Sequence, residues 1–296
     1  MHPMSHSKEK ELLKKVRRLE IKARRMSEQQ LIGDYKSAFK GSGLSFAEVR
    51  PYQYGDEVRN IDWKVTARAG QPYVKMFEEE RESSVLIILD NSASMFYGSQ
   101  NSSKRELAVE IAAVLAYSAI SSNDRVGLLL FDTEDKVFIP PKKGRNHLLN
   151  ILSQLVRNEE VKGGETKLGS VFRYLMETQS TFNNCFLISD FQSADFSTEI
   201  KPVALKFDLV GLWIEDPSEV DFPLKGWIEM RDMESGKSTV FYNESSSGAV
   251  KQRRDFQLNH WRTCKRLFRS AGADLLKLQV GKAYIPPILK FFKSRK

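Results

Sequence analysis

The chain of 296 residues and 33.9 kDa is long enough for one large domain or two small ones, each with a core of its own. Its 41% hydrophobic and 28% charged residues exclude a disordered or low-complexity chain, and no apolar run approaches the roughly 18 residues of a membrane span. A net charge of +8 and a pI near 9.3 favour anionic partners; with a charged rather than apolar start and a mean hydropathy of -0.42, a soluble cytoplasmic protein is the default expectation.

The positive excess is concentrated in Lys8 to Arg25 and in Lys290 to Lys296. From about Lys8 to Gln30 there is no Gly or Pro, and Leu12, Val16, Leu19, Ala23 and Met26 recur at helical spacing. This predicts a basic amphipathic helix within segment 1–34. Its apolar stripe suits docking on the body of the protein. Its basic back is the feature that could touch an anionic membrane at the inner face, whereas nucleic acid is disfavoured because no aromatic interleaving or nucleic-acid module accompanies it.

Residues 35–82 change to short alternating pieces and turns, which predicts a small strand-rich subdomain. Tyr54-Gly55-Asp56 reads as a turn, because Gly tolerates positive φ and Asp bonds its own following amides. Arg50, Asp56, Arg59, Asp62 and Arg68 form a candidate ion-pair lattice that fixes this subdomain on the next one. A docking surface for a partner, built on Arg50, Tyr52, Gly55, Asp56, Arg59, Asp62 and Trp63, is the competing use.

From 83 to 296 strands and helices alternate, predicting an α/β domain with a mainly parallel sheet and helices on both faces. Val85 to Leu89 is apolar on both faces, reads as a central strand and ends at Asp90. Lys104 to Ser121 is a helix apolar nearly all round and should be deeply packed. Asn123-Asp124 turns into the strand Val126 to Phe131, which pairs with Lys136 to Ile139 until Pro140-Pro141 stops it. Helices near Asn146 to Arg157 and Leu168 to Thr178 flank the loop Lys162-Gly163-Gly164-Glu165-Thr166. Cys185 to Ser189 is another buried strand, closed by Asp190. Phe207 to Ile214 is followed by an inserted hairpin near 221–245, with strands Trp227 to Arg231 and Ser238 to Tyr242. A helix over Val250 to Ser270, with Leu258, Trp261, Cys264 and Phe268 inward, leads to a last strand at Asp274 to Val280. Cys185 and Cys264 lie in apolar settings and read as buried free thiols; without a Cys/His cluster, zinc chemistry is not expected.

Asp90, Ser92 and Ser94 follow the first strand, Thr166 lies in the Gly-rich loop, and Asp190 follows a later strand. In open α/β sheets ligands bind beyond the carboxyl ends of such strands, and hard oxygen donors suit Mg²⁺. Together these residues resemble the metal-ion-dependent adhesion site of von Willebrand factor A domains: Asp-x-Ser-x-Ser, a Thr after glycines, and an Asp closing an apolar strand. The resemblance implies that Ser92, Ser94 and sometimes Thr166 bind a divalent cation directly, Mg²⁺ foremost with Mn²⁺ or Ca²⁺ as alternatives. Asp90 and Asp190 often act through water in that family. A coordination position left open accepts an acidic residue of a protein partner. Many such domains place Gly after the closing Asp, whereas Phe191 stands here. The bland reading is that Asp90, Ser92 and Ser94 merely cap the next helix or satisfy the loop.

A narrower resemblance runs from Gly41-Ser42-Gly43 and Phe46 through Arg50-Pro51-Tyr52, Tyr54-Gly55-Asp56, Arg59, Ile61-Asp62-Trp63, Ala67-Arg68, Val74-Lys75, Phe77 and Glu80. It continues in Asp216-Pro217-Ser218-Glu219, Asp232 to Gly236 and Tyr284 to Phe292. It is similar to the bacterial family called domain of unknown function fifty-eight, itself von Willebrand A-like. That resemblance implies a link to AAA+ ATPases of the MoxR type, and a version without the membrane spans of longer members.

Enzymatic alternatives match less well. The second Asp of a haloacid-dehalogenase phosphatase is replaced by Ser92. No Gly-x-Ser-x-Gly elbow surrounds Ser92 or Ser94, His147 reads as a structural residue near a helix start, and no phosphate loop for ATP is present. A non-enzymatic, metal-dependent protein-interaction module is therefore the expectation, with a metal-dependent hydrolase or an anionic-surface binder as alternatives.

Overall fold

The computed structural model describes residues 6–27, 29–39, 45–78, 83–99, 102–132, 136–157, 167–178, 182–193, 195–219, 226–231, 238–243 and 248–295. The loop 162–166 with Thr166, the glycines 41–43 and the segment 232–236 lie outside them. The chain divides into a large unit, residues 1–38 with 84–296, and a small unit, residues 39–83.

The large unit begins with α1 (His6–Met26) and α2 (Gln29–Ala38). The basic helix ends at Met26, the last of its periodic positions and short of the Gly- and Pro-free stretch to Gln30, and α2 follows, with Leu31 and Tyr35 buried. The small unit holds β1 (Ser45–Pro51), α3 (Trp63–Ala69) and β2 (Tyr73–Glu78), with β1 and β2 paired antiparallel. The large unit resumes with β3 (Ser84–Asp90), a two-residue ribbon of β4 (Gly98–Ser99) and β5 (Ser102–Ser103), then α4 (Lys104–Ser121). There follow β6 (Arg125–Phe131), β7 (Lys136–Lys142), α5 (Arg145–Arg157), α6 (Leu168–Glu177), β8 (Asn184–Ser189), α7 (Ile200–Lys206) and β9 (Asp208–Glu215). The chain closes with the hairpin β10 (Gly226–Arg231) and β11 (Ser238–Asn243), then α8 (Gly248–Ala271), β12 (Asp274–Gln279) and α9 (Ile285–Ser294).

Among the described residues the main sheet has six strands in the order β12-β9-β8-β3-β6-β7, all parallel except β7. This is the α/β arrangement expected, a mainly parallel sheet with helices on both faces. The chain moves outward from β3 through β6 on one side and through β8 on the other, so the switch point lies between the ends of β3 and β8. Every residue of β3 is buried because both faces are covered. On one face α6, α7 and α8 pack Leu168, Phe172, Ile200, Val203, Cys264 and Phe268 against Leu86 and Ile88. On the other α4 lies on β3 and β6 and is itself covered by α1, which is why it is apolar nearly all round. Val16 and Ala23 of α1 are buried, the Ser27 hydroxyl donates to the Val114 carbonyl at 3.3 Å, and Glu20 pairs with Arg145 at 2.9 Å. The apolar stripe of α1 is thus docked, Lys10, Lys14 and Lys15 are exposed, and Lys22 pairs with Glu110 of α4.

Two local expectations are corrected. The strand after Asp132 does not stop at Pro140-Pro141 but continues to Lys142. β7 is an edge strand, where proline costs no ladder hydrogen bond on its open side. Its path is kinked by a register shift opposite Gly127, where a Cβ would meet the Ile139 carbonyl at 2.8 Å and the Pro141 ring at 3.0 Å. On α8, Cys264 and Phe268 are buried as expected, but Leu258 is 40% exposed rather than inward. Both cysteines are free and buried. Among the described residues no helix is long and apolar enough to cross a membrane.

Candidate metal centre

β3 delivers Asp90 to the switch point fully buried, and one residue past β8 comes Asp190, 2% exposed. Each carboxylate is oriented by its own loop. Asp90 Oδ1 accepts from the Ser92 amide at 2.9 Å, and Oδ2 accepts from the Ser189 hydroxyl at 2.6 Å. Asp190 Oδ1 accepts from the Gln192 amide at 3.1 Å. Ser92 opens the single helical turn Ala93–Phe96, and its Oγ stands 3.1 Å from Ser94 Oγ. Ser92 is buried and Ser94 half-buried.

The conformation after Asp190 is also maintained. Phe191 has φ 57, the left-handed region that glycine adopts freely and other residues rarely. The ring offsets that strain by packing: it is fully buried, stacks on Trp213 at 5.6 Å and meets Phe268 edge-on at 5.4 Å. The Phe191 carbonyl lies 3.1 Å from His260 Nε2, which places that ring proton on Nε2 as donor. Phe191 therefore holds a left-handed backbone without being glycine.

Sequence reading missed the basic partner. Lys104, the first residue of α4, is fully buried, and its Nζ donates to Asp190 Oδ2 at 2.6 Å and to Glu219 Oε1. Glu219 ends the turn Pro217–Glu219 that follows β9. Just before it, buried Asp216 accepts from the Ser218 amide and hydroxyl at 2.9 and 2.7 Å, and Ser218 Oγ meets Tyr97 OH at 2.9 Å. Neighbouring Arg105, also buried, donates to Asn91 Oδ1 at 2.7 Å. Two signals pointed here. Three parallel strands each have an aspartate at or one residue past the carboxyl end, Asp90, Asp190 and Asp216, and a lysine opens a helix at the end where the dipole disfavours a cation.

Burial pushes the Asp90 carboxyl up to about 7, with the Asp190 charge adding to the effect. Burial works against the Lys104 ammonium, but Asp190 and Glu219 outweigh it and hold that pKa above its ordinary value. Glu219 is raised by burial, with Lys104 opposing.

Asp90, Ser92, Ser94 and Asp190 are thus at one edge, while Thr166 lies outside the described residues. Among the described residues no group of three or more His, Cys, Asp and Glu forms a metal cluster. The donors present are of the other kind, two adjacent hydroxyls backed by two carboxylates, and these fit a hard oxygen-seeking cation. His147 is structural, with Nε2 at 2.8 Å from the Val126 carbonyl.

In the small unit, Arg50 grips Asp56 through two bonds of 2.9 and 2.7 Å, and Asp56 also accepts from the Gln53 amide at 2.8 Å. Gly55 holds the turn with φ 104. Asp62 caps α3, accepting from the Lys64 and Val65 amides at 2.9 and 3.2 Å. Tyr52 is half-buried, Arg59 and Arg68 are exposed, and Trp63 is 68% exposed.

Residues 48–262 match the family described as "Protein of unknown function DUF58". The chain is 28% identical over 286 residues to the protein named Rv1480 of Mycobacterium tuberculosis, covering 95% of this chain and 89% of that one. It is 29% identical over 109 residues to YeaD of Bacillus subtilis, covering 37% of this chain and 25% of that one. Among solved structures it is similar to BatB of Bacteroides thetaiotaomicron, with TM-score 0.47 and 15% identity over 72% of this chain and 98% of that one. It is also similar to the SpRpn10 VWA domain, with TM-score 0.40 and 9% identity over 71% of this chain and 94% of that one.

Proposed function

Since the chain belongs to the DUF58 family, we propose that it is a non-enzymatic protein-interaction module in which a divalent cation at the β3–β8 switch point recruits an acidic residue of a partner. The observation that carries this reading is the meeting of Ser92, Ser94, Asp90 and Asp190 at one sheet edge, with the two hydroxyls 3.1 Å apart and Ser94 only half-buried. Ser92 and Ser94 would hold the ion, with Asp90 and Asp190 supplying charge. A bound Mg²⁺ or Mn²⁺ supplies a positive charge with a free coordination position, and Thr166 is a further donor of the expected set. The bland reading, that these groups only satisfy the loop, accounts for the bond from the Ser92 amide to Asp90. Asp90 and Asp190 also find partners within the fold, in the Ser92 and Gln192 amides, the Ser189 hydroxyl and Lys104, but none of those bonds requires the Ser92 and Ser94 hydroxyls to stand together beside them. A MoxR-type AAA+ ATPase is the class of partner that the family resemblance suggests.

The test is thermal melting with added Mg²⁺ or Mn²⁺. Binding to the native state alone raises the melting temperature by mass action, so the wild type should shift and Asp90→Ala should not. Equal shifts, or none in the wild type, would overturn the reading.

A further inference from the structure

Lys104 carries two penalties. Its ammonium is fully buried, and it sits in the first turn of α4, the positive end of an 18-residue helix. A cation in that place persists only where anions compensate it, and the compensating groups are Asp190 and Glu219. Asp190 is also the carboxylate that the proposed ion would draw on. We propose that Lys104 is a built-in counter-cation of this site, whose ammonium competes with a divalent ion for Asp190 and ties that carboxylate to Glu219 of the loop after β9. The proposal rests on the metal-site reading above.

The competition follows from charge. Asp90, Asp190 and Glu219 can supply three negative charges at this edge, and Lys104 cancels one of them before any ion arrives. An entering dication must share Asp190 with the ammonium and meets its repulsion. Lys104 thereby sets the affinity low enough for occupancy to depend on a second contribution, such as the acidic residue of a partner. Asp190 is held from two sides, by the Gln192 amide and by Lys104, which turns it toward α4. A merely structural lysine predicts the opposite outcome: its removal would loosen the site and weaken binding.

The experiment measures Mn²⁺ binding to the full chain, with free ion counted by electron paramagnetic resonance. Lys104→Met should bind Mn²⁺ at least about tenfold more tightly than the wild type, and Lys104→Arg, which keeps the charge, should stay near it. Lys104→Met with Glu219→Gln leaves the net charge at the edge unchanged, provides a second variant should the single one not fold, and should also bind more tightly. The gain should vanish when Asp190→Ala is added to Lys104→Met. Affinity equal to or below wild type in the Lys104→Met variants, or a gain that survives loss of Asp190, overturns the proposal while leaving the metal site standing. Binding by Lys104→Met but not by the wild type upholds the counter-cation and sinks the native metal site. Silence in every protein sinks both.

Discussion

The carboxyl edge of the main sheet and the small unit use the same charged residue types under opposite conditions. At the edge, Asp90, Lys104 and Asp190 are no more than 2% exposed, so each charge depends on the others being present. In the small unit the Arg50 and Asp56 side chains remain 28% and 19% exposed, and Asp62 spends one oxygen, Oδ1, on two backbone amides. Water can replace a partner in the second setting but not in the first. Buried ionic groups reward completeness, while surface pairs add little.

Removing one member of each pair tests that contrast most strongly. Asp190→Ala leaves the Lys104 ammonium with one partner in a buried place, and should cost about 3–5 kcal/mol in urea unfolding. Arg50→Ala, losing a bidentate but part-exposed pair, should hardly move the midpoint. Comparable losses would show that the small unit depends on its ion pairs as much as the edge does.

Acidity sharpens the contrast, because Asp90 is pushed up to about 7 by burial and by Asp190. An unfolded aspartate titrates near 4, so between roughly pH 4 and 7 the folded chain binds the extra proton. Stability in chelator must therefore fall as pH rises through that window, by up to about 1.4 kcal/mol per pH unit. Asp90→Asn should remove this component of the slope. A rise in stability over the window that Asp90→Asn also abolishes would show that Asp90 is instead ionised in the fold.

Phe191 gives a smaller effect with an unusual sign. Any replacement loses a buried ring, but Ala at φ 57 also pays the left-handed strain that Gly avoids. Phe191→Gly should therefore unfold about 1 kcal/mol later than Phe191→Ala, reversing the usual order of those two residues. The usual order would place the strain elsewhere.

What could be read from the sequence follows the same division. Asp90 and Asp190 were legible because each ends a run apolar on both faces, and a polar group there must lie at a sheet edge. Lys104 and Glu219 were not: a lysine opening a helix is an oddity the sequence shows, but the partners that explain it lie 86 and 115 residues away. Proline misled in the same way. Pro140-Pro141 suggested a stop and instead continues an edge strand. At the other end of the chain Pro286-Pro287 sits in the first turn of α9, a helix the sequence reading did not assign, where the missing amides have no helical partner to lose. Leu258 satisfied the helical period and still faces solvent, because periodicity gives a stripe but not where the neighbouring layer ends.

The weakest contrast lies within a single residue, Asp62. Its Oδ1 accepts the two amide bonds that cap α3, while its Oδ2 lies 3.7 Å from Lys75 Nζ, too far for a strong pair at an open surface. Asp62→Ser keeps a capping oxygen and loses the charge, whereas Asp62→Ala loses both. If the cap is what matters, hydrogen exchange at the Lys64 and Val65 amides should speed up in Asp62→Ala and stay near wild type in Asp62→Ser. Equal acceleration in the two variants would mean that the charge holds the turn, and the small unit would then resemble the buried edge more than its exposure suggests.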